Sequence, residues 1–269
     1  MTQPAPITFE TLPGRPVVTP TGAGIRILLV STYELGHQPL GLAWPAAALR
    51  AAGHDVRTLD VAVETLDAGA FRNVDLVAIS VPMHTAARIG VEVARAARRV
   101  TPAARIAFYG LYASPLAAQL VTDGLGDVVI GGEYEDGLVA LAGRIATGDA
   151  NLDVEGAGAM PSLARRAHPV PDRRGLPPLD AYAKVRLRDG EHLTGYLEAT
   201  RGCAHRCTHC PITPVYGGAL RLVPRDTVLA DAAQQIEAGA RHITFGDPDF
   251  LNAVPHSLAL VEEFHRRWP

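Results

Sequence analysis

Between residues 25 and 147 the chain alternates five short apolar runs with helical patterns rich in Ala and Arg. The runs are IRILLV (25–30), HDVRTLDV (54–61), VDLVAISV (74–81), ARIAFYG (104–110) and GDVVIGG (126–132). Near-continuous Val, Ile and Leu is how a strand buried on both faces reads, since strict alternation needs one wet face. Between the runs, Ala46–Ala52 follows Pro45, a residue the first turn of a helix tolerates, and stops at Gly53. Thr85–Val100 repeats apolar positions at Ile89, Val93, Ala97 and Val100. Pro115–Thr122 and Glu135–Thr147 supply two more helices. Strands alternating with helices imply a parallel, doubly wound α/β sheet with right-handed crossovers.

The chain has 269 residues, 48% hydrophobic and 20% charged, the balance of a globular protein with its own core. With 25 Lys+Arg against 28 Asp+Glu, the net charge of −3 gives no footprint for nucleic acid or an anionic membrane. No apolar run nears the roughly 20 residues of a membrane span. The N-terminal MTQPAPITFETLPGRPVVTPTG lacks a charged segment followed by an apolar one, so a cytoplasmic protein without a signal peptide is expected. The organisation expected is a loose arm over 1–24, an α/β domain over 25–148, a linker over 149–192 and a second part over 193–269. Arg pairs such as Arg173–Arg174 read as solvated linker. The second part reads as a strand (193–200), a cysteine loop, a helix (Thr227–Ala238), a strand (241–247) and a helix (Ser257–Arg267). That last helix places Leu258, Val261 and Phe264 on one face.

All three cysteines fall within eight residues, as Cys203-Ala-His-Arg-Cys207-Thr-His-Cys210. An odd, clustered set argues for a metal or redox centre over a disulfide framework. Three thiolates leave one corner of a tetrahedral or cubane site open, which is what a reactive centre needs. Soft sulfur donors at such short spacing suit an iron–sulfur cluster. A zinc site completed by His205 or His209 is the alternative, although zinc motifs usually pair two hooks about a dozen residues apart.

In its setting, GYLEATRGCAHRCTHCPI, this C-x3-C-x2-C loop resembles that of the radical S-adenosylmethionine (radical SAM) enzymes. The resemblance implies that Cys203, Cys207 and Cys210 bind three irons of a 4Fe-4S cluster. The fourth iron would take S-adenosylmethionine, whose cleavage releases a 5′-deoxyadenosyl radical. His209 stands where the family often has an aromatic residue near the adenine. Phe245-Gly246-Asp247-Pro248-Asp249-Phe250 matches the family segment at the end of the second barrel strand. Gly246, Asp247 and Asp249 are therefore carried over as S-adenosylmethionine contacts, with turn chemistry around Pro248 the alternative for the two aspartates.

A parallel domain placed before such a loop resembles the flavodoxin-like, cobalamin-binding domain of the corresponding subclass. Ligands of open α/β sheets sit outside the carboxyl ends of the strands. There the sequence has Ser31, Ser80, Gly110 and Gly132, small enough to let a corrin or its nucleotide tail approach the backbone. The D-x-H-x-x-G motif that supplies a histidine to cobalt elsewhere is absent, and His37 is a partial echo of it. Gly131-Gly132-Glu133 also spells a glycine–glycine–acid string, but it sits in the first domain and is not the segment expected to contact S-adenosylmethionine.

The expected fold is thus a five-stranded parallel flavodoxin-like domain followed by the first two β/α units of a radical SAM partial barrel. Only two such units fit between Thr194 and Pro269, so the N-terminal part of a longer enzyme is expected. The resemblance implies methylation or rearrangement of a small molecule, with an electron donor such as flavodoxin or ferredoxin and no nucleic-acid or membrane partner. The rival from another class is a non-catalytic cobalamin-like or metal-binding module whose three-cysteine tail holds zinc or an iron–sulfur cluster.

Overall fold

The computed structural model describes residues 24–158, 161–163 and 168–269, so the arm expected over 1–24 lies outside the described residues but for Gly24. Strands β1 (Arg26–Ser31), β2 (Asp55–Asp60), β3 (Leu76–Ser80), β4 (Arg105–Tyr109) and β5 (Val128–Ile130) pair in parallel in the order β2-β1-β3-β4-β5. Successive residues of each strand enter opposite cores. Leu28, Val30, Val77, Ile79, Ile106 and Phe108 pack with α2 (His84–Val100) and α3 (Ala117–Thr122). Ile27, Leu29, Leu76, Ala78, Ala107 and Tyr109 pack with α1 (Leu40–Ala51) and α4 (Glu135–Thr147). This two-sided burial is why the runs read as continuous rather than alternating.

Helix α1 starts at Leu40, earlier than the sequence pattern suggested, and carries Pro45 inside it. A helical proline cannot donate to the carbonyl four residues back. The carbonyl thus left free, that of Gly41, accepts the buried Tyr109 hydroxyl at 2.6 Å. Helix α1 is buried nearly all round, because Leu42, Ala46 and Leu49 enter the first unit while Leu40 and Trp44 enter the core of the second.

Among the described residues of 149–192, the part around 175–182 is fastened to its surroundings. Tyr182 donates to Asp60 Oδ2 at 3.0 Å, Thr58 donates to the Gly175 carbonyl at 2.8 Å, and Gln38 donates to the Pro177 carbonyl at 2.8 Å. The same stretch also contributes β6 (Lys184–Leu187), which forms an antiparallel hairpin with β7 (Gly190–Leu197). Two short strands, β8 (Thr200–Gly202) and β9 (Leu220–Leu222), make an antiparallel ribbon around the cysteine loop and α5 (Ile212–Tyr216). Then α6 (Arg225–Glu237), β10 (His242–Phe245) and α7 (Val254–Arg267) follow, with β10 parallel to β7.

The face expected for the last helix is corrected: Ser257 and Leu260 are its buried residues, with Phe264 packed against the core, while Leu258 and Val261 are about half exposed. Among the described residues no helix is long and apolar enough to cross a membrane.

Candidate functional site

The carboxyl ends of both parallel systems face one cavity of about 300 Å³. Ser80, Gly110 and Gly132 line it from the first unit, Glu198 and Gly246 from the second. Parallel strands all end on the same side, so the loops after them form a common rim. Of the small residues expected at a cobalamin site, three therefore meet at the cavity. Ser31 does not line it: its hydroxyl bonds to Asp60, one strand away.

The loop after β1 sets one wall. Leu35 has φ 54 and Gly36 φ 79, and the turn swings Glu34 over the start of α1. Its carboxylate accepts the amides of Leu40 (3.0 Å) and Gly41 (3.2 Å), satisfying donors that a helix start leaves free. Burial, seconded by the nearby Glu198, pushes Glu34 up to about 8. Burial likewise lifts Glu198 to about 7, against the pull of Arg201. Both carboxyls line the cavity, one from each unit, and neither was singled out from the sequence. Their environment is tertiary, so no local pattern marks them.

Arg201, two residues before the first cysteine, is buried with its side chain 7% exposed. It pairs with Glu133 (3.0 Å), Glu135 (2.7 Å) and Glu198 (3.2 Å), and its guanidinium carbon lies 4.9 Å from the Trp44 ring centroid. The next residue, Gly202, has φ +72, and a Cβ there would meet the Ala219 carbonyl at 2.3 Å. Only glycine fits that turn into the cysteine loop.

The three thiols are free, with Cys203 and Cys210 half-buried and Cys207 exposed. The loop is braced internally: Thr213 Oγ1 donates to the Cys207 carbonyl at 3.1 Å, and the Cys210 amide donates to the same carbonyl at 3.3 Å. Among the described residues no three His, Cys, Asp or Glu side chains are grouped to hold a single metal ion. Three free thiols on one loop fit the donor set of a cluster whose irons each take one thiolate. His205, a possible fourth donor to zinc, lies instead 3.4 Å from Asp249 Oδ2, and His209 is exposed.

The segment after β10 is tied to the same loop. Asp247 accepts the Thr200 hydroxyl (2.6 Å) and the Ala199 amide (3.1 Å), and burial raises its pKa. Gly246 is packed so closely that a Cβ would come 2.1 Å from the Tyr196 hydroxyl. Asp249 caps the turn Phe250–Ala253, accepting the Leu251 amide at 3.0 Å. Asn252 from that turn accepts the Ala204 amide at 2.6 Å. His37 stacks on Tyr196 and is not among the residues lining the cavity.

Residues 26–142 match the family described as the B12 binding domain. The hopanoid C-3 methylase of Methylococcus capsulatus is 27% identical over 254 residues, 89% of this chain and 48% of that protein. The radical S-adenosylmethionine methyltransferase TsrM from Kitasatospora setae, solved with tryptophan substrate and a SAM analogue, superposes with a TM-score of 0.70 at 22% identity. That match covers 90% of this chain and 51% of TsrM. The same enzyme with cobalamin and a 4Fe-4S cluster bound gives 0.70 at 19% identity, covering 91% and 51%. The chain therefore spans about half the length of these relatives. Residues 26–142 are thus similar to the B12 binding domain, and the chain shares its fold with about half of TsrM.

Proposed function

We propose that this chain is part of a cobalamin-dependent radical SAM enzyme that methylates a small molecule. The observation that carries the reading is the shared cavity: the B12-binding domain and the cysteine-bearing unit turn the carboxyl ends of their strands to one space. When bound, the cluster, S-adenosylmethionine and cobalamin supply the radical and methyl-transfer chemistry.

The chain's residues bind, orient and exclude water. Cys203, Cys207 and Cys210 offer the thiolates. Gly246 lines the cavity, and Asp247 next to it is fixed by two hydrogen bonds to β8 and the residue before it. Ser80, Gly110 and Gly132 line the wall that the first unit contributes. Glu198 and Glu34 hold protons near neutral pH, which keeps surplus negative charge out of a partly dry cavity. An electron donor such as flavodoxin or ferredoxin would deliver to the exposed side of the loop, where Cys207 lies.

The test is anaerobic reconstitution with iron and sulfide, followed by electron paramagnetic resonance of the reduced protein. A four-iron signal that shifts with S-adenosylmethionine and is lost in Cys207→Ala is expected, together with a cobalamin absorbance change on titration. One bound zinc and no response to S-adenosylmethionine would overturn the enzyme reading and leave a binding module.

A further inference from the structure

Glu133 lies at the carboxyl end of β5, in the B12-binding domain, and is 1% exposed. Its two carboxylate oxygens take donors from opposite sides of the cysteine loop. Arg201 Nη1, upstream of Cys203, donates to Oε2 at 3.0 Å. The Tyr216 hydroxyl, downstream of Cys210 in α5, donates to Oε1 at 3.0 Å. One buried carboxylate from the first unit thus holds both stems of the loop that carries the three thiols.

The anchor itself is rigid. The Glu133 amide donates to the Ser162 carbonyl at 2.8 Å, and the two preceding glycines leave no slack. A Cβ on Gly131 would fall 1.6 Å from Ser114 Oγ, and one on Gly132 would fall 2.1 Å from the Ser162 carbonyl. The string Gly131-Gly132-Glu133 therefore has a physical reading: two residues without Cβ let the chain pack close enough to aim the third into the other unit. Charge-assisted hydrogen bonds in a water-poor site are short and directional, so they fix position as well as adding stability.

We propose that Glu133 is a positioning residue that clamps the cysteine loop at both ends and so sets its place relative to the cavity of the B12-binding domain. The proposal rests on the reading above only in giving the loop a cofactor to carry; the clamp is tested without one.

The experiment measures a distance in the full chain. Cys203→Ser and Cys210→Ser leave Cys207 as the single native thiol, and Glu92→Cys adds a second on the exposed face of α2. Nitroxide labels at both positions are read by pulsed electron paramagnetic resonance. A single narrow distance distribution is expected in this background. Glu133→Gln removes the charge and faces one donor with an amide N–H, so the distribution broadens. Tyr216→Phe removes one hydroxyl, keeps the ring in the core and broadens it to a smaller extent.

A purely stabilising residue would lower the unfolding midpoint while folded molecules kept the parental distance. Parental distributions in both Glu133→Gln and Tyr216→Phe would therefore overturn the proposal. Should Glu133→Gln fail to fold, Tyr216→Phe decides alone. Failure of cluster reconstitution would count against the proposed function and leave this result untouched.

Discussion

The imidazole of His37 lies flat on the ring of Tyr196, with centroids 4.4 Å apart and planes 5° from parallel. The histidine belongs to the loop after β1 and the tyrosine to β7, so this stack is a contact between the two units. Burial lowers the His37 pKa, which keeps the ring neutral and suited to stacking. Tyr196 in turn lies on Gly246, whose missing side chain makes room for it.

Gly246→Ala should therefore cost stability through overpacking, by about 1–3 kcal/mol. The nearest atoms include the ring carbon Cζ at 2.2 Å as well as the hydroxyl, so Tyr196→Phe in that background should restore little. Urea unfolding of the single and double variants measures this. A Gly246→Ala midpoint equal to the parent's would show that the β10 loop yields freely.

Arg173 and Arg174 are neighbours with opposite fates. Arg173 is buried and donates to both oxygens of Asp231 (2.7 and 2.8 Å), to Gln38 Oε1 (2.7 Å) and to the Tyr196 carbonyl (2.8 Å). Arg174 is 82% exposed and pairs with Asp172. Removing one partner of a buried pair strands the other, so Arg173→Ala should cost about 3–5 kcal/mol. Arg174→Ala should stay within about 1 kcal/mol. Arg173→Lys should recover only part of the loss, since an ammonium cannot reproduce the planar fork. Chemical unfolding of the three variants compares them, and equal midpoints would refute the distinction.

The raised carboxyls give stability a pH dependence with a definite sign. Glu34 is lifted from 4.5 to about 8 and Glu198 from 4.5 to about 7. Above pH 4.5 the unfolded chain releases these protons while the folded chain keeps them. The contribution is therefore present in full below 4.5 and is lost as pH rises through about 7 for Glu198 and about 8 for Glu34. Unfolding midpoints measured from about pH 5 to 9 should fall over that window. Glu198→Gln and Glu34→Gln should each flatten the slope; an unchanged slope in both variants would contradict the assignment.

Gly132 sits at φ +71 with the Ser162 carbonyl where a Cβ would be. Gly132→Ala should strain the backbone and push away the strand-like contact with Ser162, at a cost of about 1–3 kcal/mol. Limited proteolysis should then cleave the segment around Ser162 faster than in the parent. Equal cleavage rates would mean that the segment is not held by this contact.

Much of the first unit was legible in the sequence because each strand is buried on both faces, and such runs stand out from Ala-rich helices. The cysteine loop was legible because three thiols in eight residues have few other uses. The start of α1 was hidden, since Pro45 reads as a first-turn residue unless something else takes the Gly41 carbonyl. That something is Tyr109, 68 residues away. The inward face of α7 was misread for a similar reason: its leucines and valines surround the helix, and only the neighbouring core selects Leu260 over Leu258.

Local chemistry, then, determined the alternation of strands and helices and the thiol set. Tertiary structure decided which carboxyls hold protons, which arginine is buried and which glutamate reaches both stems of the loop. Backbone propensity and spacing act over a few residues, whereas desolvation and ion pairing depend on groups brought together across the chain. Glu133 and Arg201 are 68 positions apart in sequence and 3.0 Å apart in the fold.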